Sequence, residues 1–145
     1  MFMGLVGSEM CIRDRHSGKV EKGWGYEIIW ATNDLYCGKI LVFDKAGKKM
    51  SMHFHKEKHE SWFVNQGRFK LRYLDTQTAT PMEVEIKAGD TWTNTPLMPH
   101  QLEALEDNSS ITEVSTPDSI EDNYRIAPGD SQLQQQAIPD DNPTT

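Results

Sequence analysis

Residues 47–67 read GKKMSMHFHKEKHESWFVNQG, and the spacing within this stretch decides the fold. Gly47 is followed after five residues by His53-x-His55, after four more by Glu60, and after six more by Gly67. Met50, Met52 and Phe54 alternate with Ser51, His53 and His55, which is the two-residue period of a strand with one apolar face. Side chains alternate sides along a strand, so His53 and His55 point the same way, roughly 7 Å apart at Cα. A hairpin whose charged tip holds Lys56-Glu57-Lys58 and His59 then brings Glu60 back beside them. A second block, GDTWTNTPLMPH from Gly89, delivers His100. The interval from Gly67 to Gly89 has the length of one hairpin with its turns.

These residue types suit one kind of chemistry. Neutral imidazoles with a carboxylate, and no thiolate among them, can hold Zn, Fe, Mn, Co or Ni. A lone His-x-His on a polar segment is ordinarily a solvated strand edge. The conjunction of both histidines, the glutamate, the glycines and the later Pro99-His100 makes His53, His55, Glu60 and His100 the candidate ligands of one divalent metal.

Working outward, Tyr36–Phe43, Glu60–Asn65, Arg68–Leu74, Met82–Ile86, Thr91–Asn94, Gln101–Leu105 and Ile111–Ser115 read as further short strands separated by turn residues. No segment carries a long helical period, so the pattern predicts an all-β sandwich or barrel. Trp62 and Phe63, adjacent on one strand, face opposite ways, one into the core and one outward. Trp24 and Trp92 read as packing residues, and Gln101 as an exposed strand position. The chain of 145 residues is sized for one domain over residues 16–130. Residues 131–145, polar and rich in Gln and Pro, read as a disordered tail. Residues 1–15 include GLVGSEMCIRDR, which resembles a translated sequencing adapter, so this leader is expected to contribute nothing to the fold.

A net charge of −7 argues against nucleic acid or an anionic membrane as partner. No apolar run reaches the ~20 residues that span a bilayer. With only Cys11 and Cys37, a disulfide framework is not expected, and a reducing cytoplasm fits.

The two blocks resemble the paired motifs of the cupins, which are small double-sheet β-barrels of jelly-roll type. The first block matches the family pattern at Gly47, His53, His55, Glu60 and Gly67. The second keeps Gly89 and His100 but has Thr95 for the usual proline, Leu97 for the usual glycine and Ala104 for the usual asparagine. Pro96 and Pro99 could supply an equivalent bend, so these departures bear on the loop rather than on His100.

A narrower resemblance, over residues 22–127, is to the isomerase domain of type II mannose-6-phosphate isomerases. It rests on Trp24-Gly25-Tyr26-Glu27, Lys39, Glu60-Ser61-Trp62-Phe63-Val64 and the segment from Glu113-Val114 to Glu121-Asp122-Asn123-Tyr124-Arg125. The chain lacks the nucleotidyltransferase domain that often accompanies such enzymes and their usual ending after Arg125. The resemblance implies a small-molecule substrate, a sugar phosphate, and metal-dependent aldose–ketose isomerisation, with Arg125 and secondly Lys39 as cations for the phosphate. An Fe(II)-dependent dioxygenase-type cupin and a non-catalytic ligand-binding cupin are the alternatives. A homodimer is also expected, from family likeness, from the apolar supply of Trp30, Phe43, Trp62 and Phe63, and from Met50, Met52 and Phe54 if they face outward.

Overall fold

The structure, a computed structural model, describes residues 18–137, and side chains through residue 133. The adapter-like leader at 1–15 and residues 138–145 lie outside the described residues. In chain order the strands are β1 (Gly18–Lys22), β2 (Gly25–Thr32), β3 (Cys37–Phe43), β4 (Met52–Phe54), β5 (Glu60–Gln66) and β6 (Arg68–Asp75). They continue with β7 (Thr80–Lys87), β8 (Thr91–Asn94), β9 (His100–Ala104), β10 (Ser109–Ser115) and β11 (Tyr124–Ala127), and one helix follows, α1 (Asp130–Ala137).

Two antiparallel sheets result. The larger runs β1-β2-β3-β10-β5-β8 and the smaller β11-β4-β9-β6-β7. Their inner faces supply the core, centred on Phe43, Trp62, Phe69, Leu71, Leu102 and Ile111, all 2% exposed or less. Trp24 stacks on Phe43 with ring centroids 4.4 Å apart, and Phe43 meets Phe69 edge-on at 5.1 Å. Such aromatic pairs add roughly 0.5–1.5 kcal/mol beyond the area they bury.

The motif glycine Gly67 turns β5 into β6 at φ +79°, and a Cβ there would collide with Ser109 Oγ. Left-handed backbone and close packing thus both demand glycine at this position. Leu97, standing where the family pattern has glycine, also takes positive φ, +73°.

The strand boundaries match the alternation closely, with three differences. First, β4 and β5 are not a hairpin: β4 lies in the smaller sheet and β5 in the larger. The segment 55–59 crosses between the sheets, so Glu60 reaches the histidines from the opposite wall. Second, Met50 is buried and belongs to the core, so it does not join Met52 and Phe54 on an outer face. Third, the tail does not begin disordered, since Asp130–Ala137 is helical. Its start is docked by hydrogen bonds to residues distant in sequence. Lys49 N donates to Asp130 Oδ2 at 2.7 Å, Asp130 N to Lys49 O at 2.9 Å, and Gly23 N to Ser131 Oγ at 2.9 Å. Polar composition argued against burial, yet an aspartate at the helix start needs only backbone partners. No described helix is long and apolar enough to cross a membrane.

Candidate metal centre

His53 on β4 pairs directly with His100 on β9, and on its other side with Arg125 on β11. Directly opposed residues share a face, so the row Arg125–His53–His100 looks into the barrel. His55 follows two residues after His53 and turns the same way. The three histidines offer ring nitrogens within 4.8 Å of one another. Glu60 enters from β5 across the barrel. Its Oε2 lies 3.1 Å from His100 Nε2 and its Oε1 3.8 Å from His55 Nε2. The three histidines thus gather as one group, Glu60 reaches two of them, His100 and His55, and His59 is exposed on the crossover.

Hydrogen bonds select the same tautomer at all three histidines. Nδ1 of His53 lies 2.9 Å from Ser51 O, that of His55 2.6 Å from Asp122 O, and that of His100 2.9 Å from Met98 O. A carbonyl only accepts, so each Nδ1 carries the proton and each Nε2 keeps its lone pair for the centre of the barrel. His100 Nε2 is buried without a hydrogen-bond partner among the described residues. Its short approach to Glu60 is a contact between two potential ligand atoms. Burial also disfavours the charged form of two of the rings, pushing His53 down to about 3 and lowering His55. Neutral imidazoles with inward lone pairs, an orphaned buried nitrogen and an ionised carboxylate fit a divalent cation.

Glu60 is held by two groups that the motif does not contain. Asn94, its cross-strand neighbour on β8, donates from Nδ2 to Oε2 at 2.9 Å and in turn accepts from Trp92 Nε1 at 2.8 Å. Lys58 Nζ sits 3.2 Å from Oε1. Burial opposes ionisation of Glu60, while the ammonium of Lys58 and the amide of Asn94 favour its carboxylate form.

Lys58 had read as part of a charged hairpin tip; it is instead 6% exposed. Its ammonium also meets Glu113 Oε2 at 3.0 Å and Asp118 Oδ1 at 3.2 Å. Glu113 receives Trp62 Nε1 on its other oxygen at 3.0 Å. Burial, and then the nearby Glu60 charge, push the Glu113 carboxyl up despite Lys58. Asp118 goes the other way: burial resists, yet Lys58 and Lys39 hold it down to about 2. The available signal was positional, since Lys58 stands two residues before Glu60 and a period of two puts both on one face. Asn94 could have been found only from the register of β5 on β8.

The histidines open onto a cavity of about 880 Å³ between the sheets, lined also by Lys39, Lys58, Glu113, Asp118, Asn123 and Arg125. Both cations inferred for a phosphate thus reach the cavity, in different states. Lys39 is buried, 2.7 Å from Asp118 Oδ2 and 3.7 Å from Glu27 Oε1. Arg125 has no carboxylate within ion-pair distance among the described residues. Gln101 is buried rather than exposed, and its amide donates to Met50 O at 2.9 Å, away from the histidines. Trp24 packs in the core and Trp92 against Tyr73, 4.9 Å between centroids.

No family model matches the sequence, and no curated protein matches it. Among solved structures, oxalate decarboxylase from Bacillus subtilis superposes with a TM-score of 0.68 at 18% identity, covering 76% of this chain and 30% of that one. The oxalate decarboxylase of Lactobacillus farciminis, solved as a formate complex, gives 0.66 at 20% identity, covering 76% and 34%. KdgF from Halomonas sp. gives 0.57 at 20% identity, covering 66% and 81%. The chain therefore spans much less than half the length of the oxalate decarboxylases. Likeness at these identities speaks to fold, and with the two antiparallel sheets it identifies this chain as a double-sheet cupin barrel.

Proposed function

We propose that His53, His55, Glu60 and His100 hold one divalent metal ion, and that the chain is a cupin enzyme that isomerises a sugar phosphate between aldose and ketose forms. The observation that carries the metal assignment is the shared tautomer: three Nδ1 atoms tied to backbone carbonyls leave three Nε2 lone pairs, two of them beside Glu60. A bound divalent ion supplies Lewis acidity, which polarises a carbonyl or hydroxyl oxygen. The protein does the rest. Lys58 and Asn94 hold Glu60 ionised and oriented. The cavity volume lies within the ~300–1,000 Å³ common for small-molecule sites.

Arg125 supports an anionic substrate. It stands one strand from His53 on the same face, and its guanidinium is free to take a phosphate or carboxylate in two hydrogen bonds. Lys39, already engaged by Asp118 and Glu27, would shape the cavity rather than bind the anion. A second reading draws support from the likeness to oxalate decarboxylase, whose Mn(II) centres are described. On that reading a redox-active ion and a small carboxylate occupy the same places.

The test is elemental analysis of protein purified without added metal, followed by incubation of the metal-replete protein with mannose 6-phosphate. NMR would follow fructose 6-phosphate, and an electrode would follow oxygen. Stoichiometric redox-silent metal with isomerisation supports the first reading. Oxygen consumption or carboxylate breakdown supports the second. Absence of metal binding would overturn both, and metal binding without turnover would leave a ligand-binding cupin.

A further inference from the structure

Glu27 on β2 lines the cavity and is 8% exposed. Its register partners are Val20 on β1 and Leu41 on β3, so the three share the inner face of the larger sheet. Lys22 and Lys39 stand on either side, their ammonium groups 3.8 and 3.7 Å from the same oxygen, Oε1. Both separations lie beyond hydrogen-bond reach. Among the described residues no group donates a hydrogen bond to this carboxylate. Its neighbours behave differently: Lys39 closes to 2.7 Å on Asp118, and Lys58 to 3.0 Å on Glu113. A carboxylate serving only to balance charge would draw an ammonium into the same range. Buried acceptors are nearly always hydrogen-bonded, and a carboxylate offers about four lone-pair sites. The donor that suits Glu27 therefore comes from the cavity.

The surroundings decide what that donor is. A phosphate or carboxylate would be repelled by Glu27 itself, and an ammonium group would meet Lys22 and Lys39. A hydroxyl group suits both kinds of neighbour, giving its proton to Oε1 and accepting one from an ammonium. With gaps of 3.7 and 3.8 Å, an oxygen at ordinary hydrogen-bond length from both partners can rest against either pair. Trp24 and Leu41, both buried, line the cavity as well and offer an apolar surface to carbon-bound hydrogens.

We propose that Glu27, bracketed by Lys22 and Lys39, is a hydroxyl-binding subsite that recognises the polyol chain of the substrate. The assignment rests on the sugar-phosphate reading above and adds a determinant of specificity to it. Arg125 and Glu27 both line the cavity from different sheets, β11 being an edge of the smaller and β2 lying next to an edge of the larger. A ligand held by both spans the space between the sheets, with its anionic group at Arg125 and its hydroxyl groups at Glu27. A small carboxylate without hydroxyl groups would make no use of Glu27, so the subsite favours the sugar phosphate over that second reading.

Calorimetric titration of the zinc-loaded full chain with two probes, glucitol 6-phosphate and n-hexyl phosphate, tests the assignment. The probes share a phosphate and a six-carbon chain and differ in their hydroxyl groups. Wild type should bind the polyol phosphate more tightly. Glu27→Gln should weaken glucitol 6-phosphate roughly 10-fold, the difference between hydrogen bonds to a charged and to a neutral acceptor, and leave hexyl phosphate within about 2-fold. Zinc content should be the same in both proteins. If Glu27→Gln fails to fold by circular dichroism, Lys22→Met, at a side chain 35% exposed, serves in its place with the same selective loss. Equal affinity of wild type for the two probes, an unchanged affinity of the variant for glucitol 6-phosphate, or an equal loss of both probes overturns the subsite and leaves the sugar-phosphate reading to its turnover assay. Failure of wild type to bind either phosphate overturns that reading and the subsite with it.

Discussion

Replacing Lys58 with methionine removes one ammonium from among three carboxylates while keeping most of the side-chain volume. The lost contacts are those to Glu113 at 3.0 Å, to Glu60 at 3.2 Å and to Asp118 at 3.2 Å, and the first two carboxylates are almost fully buried. Removing one partner from a buried ion cluster leaves uncompensated charge and costs about 3–5 kcal/mol. For a domain of this size that is a fall of roughly 10–20 °C in melting temperature. The pH dependence identifies the cause. In the wild type, Lys58 is pushed up by Glu113 and Glu60 against burial, so it stays protonated and its contribution is constant across ordinary pH. Asp118, held down to about 2, contributes stability that is present above its unfolded value near 3.8 and is lost only as pH falls toward 2. Without Lys58 the carboxylates revert upward and can be neutralised by protons. The stability gap between variant and wild type should therefore shrink between pH 7 and pH 4.5. Urea denaturation of metal-free protein at both values separates this effect from lost metal binding. A deficit below about 1 kcal/mol at pH 7, or one that stays constant with pH, would refute the idea that Lys58 neutralises the carboxylates.

Three further outcomes are expected. His55→Ala should lose most bound metal, since one of four converging groups is gone, whereas the exposed His59→Ala should retain it; elemental analysis decides, and the reverse order would refute the site. Metal affinity should hold through pH 6.5 and fall only in more acidic solution, because burial lowers the free-protein values of His53 and His55 and protons compete later; titration at pH 7, 6 and 5 checks this. Leu97→Gly should raise stability by about 0.5–1 kcal/mol, the left-handed strain of roughly 1–2 kcal/mol being relieved against the added chain entropy of glycine. A melt showing a loss would mean that Leu97 makes compensating contacts.

Most of the candidate site was legible because it is local. His53, His55 and Glu60 share a stretch of eight residues, and strand alternation fixes the direction of the first two without any knowledge of the sheets. What alternation cannot supply is which sheet a strand joins. The sequence reading made β4 and β5 a hairpin, while the chain crosses between the layers at 55–59, and Lys58 is drawn inside by that crossing. Charged composition argued for a solvated tip, but a lysine is buried when carboxylates from distant elements surround it, and Glu113 and Asp118 are more than fifty residues away. Asn94 was hidden for the same reason, its role resting on a register pairing. Arg125 and, second to it, Lys39 came from the resemblance alone. What separates them in the structure is burial and partners, Lys39 lying buried beside Asp118 and Glu27 and Arg125 exposed.

The Asp122 carboxylate accepts from the backbone N–H groups of Lys56, Glu57 and Lys58 at 2.7, 3.1 and 2.9 Å, while its carbonyl takes the proton of His55 Nδ1. One residue thus shapes the crossover and orients a ligand that precedes it by 67 positions. During synthesis, His53, His55, Glu60 and His100 all leave the ribosome before that clamp does. The metal centre should accordingly mature late: a nascent chain arrested with Asp122 still in the exit tunnel would bind metal weakly, and emergence of Asp122 would switch capture on.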